Sequence, residues 1–168
     1  LNNSASMVLK GGQLTLVGGT SDVYETVGAL TLDSYNSFIN LTSSTAATQF
    51  TFASISRSQG ATAILRGANL GSAPGSGNTN IVFTDASGLS LTGANTSAVT
   101  RSIVPYLVGD SLTSGNGTSF VTHNQDASGT SNAYGIRLLS ASEYSATAST
   151  GVNFSPTAAT TVSSDVAV

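Results

Sequence analysis

Residues 27–54 read VGALTLDSYNSFINLTSSTAATQFTFAS, and this stretch decides the fold. Three times within it an apolar residue alternates with a hydroxyl or amide residue: Leu30-Thr31-Leu32, Ile39-Asn40-Leu41 and Phe50-Thr51-Phe52. A period of two places one set of side chains on each face of an extended strand. Gly, Ser and Asn stand between the runs and supply the turns. Outward in both directions the phrase recurs as GGQLTLVGG (11–19), TAILRGANLG (62–71) and NTNIVFTD (78–85).

No window carries a sustained helical stripe, and Gly, Ser and Thr are poor helix formers. Strands are predicted at 7–10, 13–17, 23–33 with a bend near Gly28, 37–42, 48–56, 61–66, 80–84, 103–108, 119–123, 135–140 and, weakly, 151–154. Leu14, Leu16, Leu30, Leu32, Ile39, Leu41, Phe50, Phe52, Ile81, Phe83, Ile136 and Leu138 are predicted to point inward. Thr15, Thr31, Asn40 and Thr51 then point outward, because a slip of one residue exchanges the faces.

Many short strands at near-regular spacing point to an all-β chain whose coils stack as a parallel β-helix, or β-solenoid. Coils of about 20–25 residues would give about seven turns. An antiparallel β-sandwich is the alternative. Against it, the two-residue hairpin signal occurs once, at Asn116–Gly117, and not between strong strands.

Charged residues make up 8% of the chain, against about 25% in ordinary soluble domains. Ser and Thr fill roughly three positions in ten. The five basic residues, Lys10, Arg57, Arg66, Arg101 and Arg137, are scattered, which argues against a nucleic-acid surface or a polybasic membrane patch. No apolar run approaches the roughly 18 residues of a membrane helix. Without Cys there is no disulfide framework and no thiolate metal site. This composition fits an exposed surface protein better than a cytosolic enzyme. The chain starts at Leu1, carries no signal peptide and closes on SSDVAV, which reads as another strand. Residues 1–168 are therefore expected to be one segment of a longer repetitive polypeptide.

Chemistry-bearing residues are sparse. His123 is the single histidine, with Asp110 and Asp126 not far along the chain. A Ser/His/Asp triad is defined by geometry rather than by presence, so a surface histidine at a strand end is the simpler expectation. The acids form no Asp-x-Asp calcium loop, and Asp22 and Glu25 read as a solvated corner. Lys10 raises an isopeptide crosslink to an Asn, with Glu25 or Asp33 as catalyst; the simpler reading is an outward-facing lysine. Sequons at Asn2, Asn40, Asn95, Asn116 and Asn153 arise by chance in so Asn/Ser/Thr-rich a chain. Tyr24, Tyr35, Tyr106, Tyr134 and Tyr144 either line a sugar-binding face or cover coil corners with their hydroxyls in water. The sequence therefore names no catalytic, cofactor or metal residues.

The ordered phrases GGQLTLVGG (11–19), VYETVGALTLDSYNSFINLTSS (23–44), FTFASISRSQGATAILRGANLGSAPGSGNTNIVFTD (50–85), IVPYLVGD (103–110), GTSFVTHNQ (117–125) and YGIRLLSASEYSA (134–146) resemble the bacterial surface proteins with autotransporter-associated β-strand repeats, especially the long planctomycete and verrucomicrobial forms. The resemblance covers residues 7–146. It implies a right-handed parallel β-helix, secreted and surface-exposed, with no catalytic residues. The expected role is structural, as part of a fibre, stalk or passenger. Self-association, head to tail or as tandem repeats, follows if both chain ends are uncapped strands. The alternative is an adhesin that contacts glycans or a cell surface through loops 71–80, 85–102 and 110–134. A polysaccharide-active β-helix enzyme ranks below both, since no cluster of acids is visible.

Overall fold

The computed structural model describes residues 2–58, 60–125 and 128–156. It is all-β. Among the described residues, helical structure is limited to three short 3-10 turns at Ser87–Leu89, Ala98–Thr100 and Ala141–Glu143. The strands are β1 (Met7–Lys10), β2 (Gln13–Val17), β3 (Val23–Val27), β4 (Leu30–Ser34), β5 (Asn36–Thr42), β6 (Thr48–Arg57), β7 (Thr62–Arg66), β8 (Thr79–Asp85), β9 (Leu107–Asp110), β10 (Ser119–Gln125) and β11 (Ser131–Leu138). They lie in two sheets, an arrangement compatible with the sandwich alternative. One sheet has the order β1-β4-β6-β3 with β8 also on β6, and the other β11-β10-β9-β7-β5-β2.

Parallel pairing dominates. Met7 faces Leu30, Gln13 faces Phe38, Val23 faces Thr48, Leu30 faces Ile55 and Asn36 faces Thr62, so the offset between partners is nearly constant. Parallel neighbours cannot be joined by a tight hairpin; the chain must travel away and return. The return lengthens where loops bulge. Thr48 faces Thr79 across loop 67–78, and Ala63 faces Leu107 across the segment 86–106. Among the named strands, antiparallel pairing is confined to β9–β10 and β10–β11. The larger sheet thus holds four parallel strands before the antiparallel pair, and the described residues form two sheets rather than the predicted seven-turn solenoid.

The corners continue the stacking. The Gly28 amide donates to Ala5 O at 2.9 Å, and the Ala53 amide donates to Gly28 O at 3.2 Å. Side chains repeat the spacing outside. Thr31 and Ser56 hydroxyls share a bond of 3.0 Å, Ser58 Oγ donates to Asp33 at 2.9 Å, and Ala47 N donates to Asp22 at 2.9 Å.

The inward faces are those predicted. Leu30, Leu32, Ile39, Leu41, Phe50, Phe52, Ile81, Phe83 and Ile136 are buried, while Leu14, Leu16 and Leu138 pack partly covered against the same core. Phe52 and Phe83 stack at 5.6 Å between centroids. Thr15 is exposed, and Thr31 and Thr51 are half-buried, as outward positions allow. Asn40 is the exception: it points outward in register with Arg66 but is buried. The segment 111–118 turns back over this face. Arg66 Nε donates to Gly115 O at 2.6 Å, and its guanidinium lies 4.1 Å from the Phe38 ring centroid.

The predicted strand 103–108 is also corrected. Ile103 makes an isolated bridge to Thr92, and a regular strand starts only at Leu107. Pro105 lacks an amide for a ladder, and the Leu107 amide instead donates to Val104 O across a turn at 3.2 Å. Positions 151–154 form a single bridge, Ser145 to Phe154. The closing residues SSDVAV lie outside the described residues.

The two ends of the parallel ladders differ. Among the described residues β1, β2 and β3 each pair on one side only. At the other end the larger sheet curls, so that β11 crosses onto β8: Asn80 Nδ2 donates to Tyr134 O at 3.2 Å. A side chain at Gly135 would collide with Ile81 O, and Gly135 also holds φ +82°, so only glycine admits this contact.

Candidate functional site

The curl of β11 creates a cleft of about 520 Å³ between loop 67–78 and β11. Three asparagine side chains fix the loop. Asn69, in a left-handed conformation with φ 50°, donates to Asn78 Oδ1 at 2.9 Å. Asn78 in turn donates to Ala73 O at 2.8 Å. Asn80 is fully buried at the base and donates to Ser72 O at 2.8 Å as well as to Tyr134 O, tying one wall to the other. Leu70 and Leu138 line the cleft with Tyr134, while Asn69, Ser72 and Ser111 supply polar groups.

Arg137 stands behind the cleft and belongs to a buried ion cluster. Glu143 is fully buried, and its carboxylate accepts Arg101 Nε at 2.9 Å, Arg137 Nη1 and Nη2 at 2.7 Å each, and the Ser140 amide at 2.8 Å. Burial pushes the Glu143 carboxyl upward, but the Arg137, Ser140 and Arg101 bonds outweigh it and hold the pKa at about 2. Arg137 Nε also donates to Gln125 O, and its Nη1 to Leu138 O at 2.9 Å. Asn153 donates to Arg101 O at 3.0 Å, bringing the chain's last described segment onto the cluster. A carboxylate with this many donors anchors structure: a buried charge is tolerated when its bonds are filled.

His123 is not the surface residue expected. It lies in β10, 6% exposed, opposite Ile136, with its ring 6.5 Å from Phe83. The alternation of β10 turns it inward, onto the end of the phenylalanine stack. Burial lowers its pKa to about 4 and keeps the ring neutral. Among the described residues its Nε2 has no hydrogen-bond partner. Asp110 is spent elsewhere, accepting the Leu112 and Gly117 amides at 2.9 and 3.0 Å. Asp126 lies outside the described residues.

Lys10 pairs with Asp33 at 2.8 Å on the surface, where both remain solvated. That bond raises the Lys10 pKa and lowers that of Asp33. Asp22 stitches two corners, while Glu25 faces the core side of β3, in register with Phe50. Asp22 and Glu25 therefore do not form one solvated corner. The tyrosines do not share a face. Tyr24 and Tyr35 are exposed, buried Tyr106 donates to Gly88 O at 2.8 Å, and Tyr144 stacks on Phe120. Of the five, Tyr134 alone enters the main cleft. Of the sequons, Asn40 and Asn153 are buried, which suits their reading as chance.

Sequence reading missed the ion cluster. Its members stand at 101, 137 and 143, brought together only by the curl of β11. The one local signal was Ser140 three residues before Glu143, the spacing of a capping box, which the structure realises. Among the described residues no group of three His, Asp or Glu side chains is placed to hold a metal ion. No family model, curated protein or solved structure matches the chain.

Proposed function

We propose that this chain is a structural segment of an extracellular bacterial rod: a β-solenoid in a surface fibre, stalk or autotransporter passenger. The observation that carries the reading is the register. Met7 meets Leu30, Gln13 meets Phe38 and Val23 meets Thr48, so three ladders, β1–β4, β2–β5 and β3–β6, advance by nearly the same offset. β4–β6 and β5–β7 repeat it, with Leu30 on Ile55 and Asn36 on Thr62. A chain winding at constant pitch produces this offset, and hairpin-connected sandwiches do not. The resemblance to autotransporter-associated repeat proteins supports the same assignment.

The role is mechanical. Backbone bonds run along the rod axis, apolar ladders fill the interior, and hydroxyl and amide pairs line the outside, with few charges to repel between layers. Self-association fits the end where, among the described residues, β1, β2 and β3 each pair on one side only, over half-buried Met7, Leu9, Leu14 and Leu16. The neutral hydrogen bonds of such a contact resist salt.

The test is to excise one layer. Deleting positions 30–54 removes one full repeat and leaves β1, β2 and β3 facing the end of β6, β7 and β8. The shortened chain is expected to fold cooperatively with a strand-rich circular dichroism spectrum. Unfolding of this variant, while deletion of positions 30–41 alone, about half a layer, does no worse, would overturn the solenoid reading.

A further inference from the structure

The geometry points to the cleft between loop 67–78 and β11 as a binding site for a neutral saccharide. Its size, about 520 Å³, lies within the range of small-ligand sites. Tyr134, Leu70 and Leu138 give an aromatic and aliphatic surface for the apolar face of a sugar ring. Asn69, Ser72 and Ser111 surround it with groups that both donate and accept, the pattern that matches sugar hydroxyls.

Two further features select the ligand class. Among the described residues no carboxylate lines the cleft, and the one cation there, Arg137, already spends its charge on Glu143 at 2.7 Å. An anionic ligand therefore gains no uncompensated cation, and a cationic one gains no acid. The walls are also tied to each other before any ligand arrives. Asn80 bonds both Ser72 O and Tyr134 O, and Gly71 lets the loop touch the β11 backbone where a Cβ would strike Arg137. Little ordering entropy is left for binding to remove. The site needs only loop 67–78, Ser111 and the β11 curl, so it stands independently of the rod assignment.

The experiment is NMR titration of the full chain with neutral oligosaccharides: trimers of glucose, mannose, galactose and N-acetylglucosamine. At least one is expected to shift amides at 69–73, 111 and 134–140 with saturation. Ser111→Trp, an exposed position that would fill the cleft, is expected to abolish the shifts. Tyr134→Ala is expected to weaken binding about tenfold, the scale of one lost aromatic contact. The Ser111→Trp spectrum outside the cleft should match that of the parent, which separates blocking from misfolding. No shift from any trimer at 10 mM, shifts unchanged in Ser111→Trp, or binding of sialylated or uronic sugars alone would overturn the proposal.

Discussion

The first half of the molecule and the last third solve the same problem by different means. Between residues 7 and 85 the interior is aliphatic and aromatic, and the strands repeat at near-constant register. Many hydroxyl and amide groups pair with the equivalent position on the neighbouring strand, as in Thr31 with Ser56 and Thr62 with Asn36. Between 101 and 153 the chain reverses direction, and its organising centre is a carboxylate between two guanidiniums. A run of parallel strands in near-constant register needs no buried ion pair, because each strand supplies the partner surface for the next. Where the repeat ends, the chain must cross itself without a periodic template. Directional, charge-assisted bonds then fix one arrangement among many.

The largest expected effect breaks the regular half. Phe52 is fully buried between Phe50 and Phe83, so Phe52→Asp places an unpaired charge inside the aromatic stack. A loss of more than about 4 kcal/mol, enough to unfold the chain, is expected in urea melts. Thr31→Asp, one layer away and facing outward beside Ser56, is expected to shift the midpoint only slightly. Equal effects at both sites would mean that the faces of β4 and β6 are misassigned.

That register is legible in sequence because it is local: Leu30-Thr31-Leu32 carries its own face assignment. Asn40 reads wrongly for the opposite reason. It obeys the alternation but is buried beside Arg66, whose guanidinium reaches Gly115 O far later in the chain, and nothing near Asn40 announces this. His123 reads wrongly because a polar ring in the phrase FVTHNQ suggests a surface, while the strand's phase, fixed by buried Val121, turns it inward. The cluster of Arg101, Arg137 and Glu143 depends on where loops return, and loop paths leave no periodic mark in sequence. The cleft is hidden likewise. Its residues belong to two loops and a strand that meet only because Gly71 and Gly135 permit close backbone approach.

The next effect belongs to His123 and the ion cluster and is read through pH. His123 has its pKa lowered from 6.5 to about 4, so its neutral form stabilises the fold fully above pH 6.5. That contribution is lost as pH falls from about 6.5 to 4, with a full worth on the order of 3 kcal/mol. Glu143 has its pKa lowered from 4.5 to about 2, so its ionised form stabilises the fold above pH 4.5 and ceases to do so as pH falls towards 2. Two successive acid limbs are therefore expected in stability against pH. His123→Leu should flatten the upper limb and spare the lower. Glu143→Gln takes the shared carboxylate charge from two buried guanidiniums, and a loss of about 3–5 kcal/mol at pH 7 is expected, with hydrogen exchange rising first in β10 and β11. Exchange rising first in β4 and β5 would mean that the two regions are not separately anchored.

The smallest expected effect compares two leucines of one ladder. Leu16 and Leu41 face each other in register, but Leu41 is fully buried while Leu16 lies in the edge strand β2 and is only partly covered. Leu41→Ala opens a cavity at a fully buried position, so a loss of about 2–5 kcal/mol is expected. Leu16→Ala removes contacts on one side, and the open end lets water fill the space, so about half that loss is expected in dilute solution. The comparison then becomes a probe of assembly. If the edge of β1, β2 and β3 receives another layer, Leu16 becomes interior in the assembled form and its environment converges on that of Leu41. The cost of Leu16→Ala should therefore rise with protein concentration, while that of Leu41→Ala stays fixed, because only the former is linked to association. Paired thermal melts across a hundredfold range of concentration measure this. A Leu16→Ala shift that is constant over that range would show that the open end of the stack remains in water.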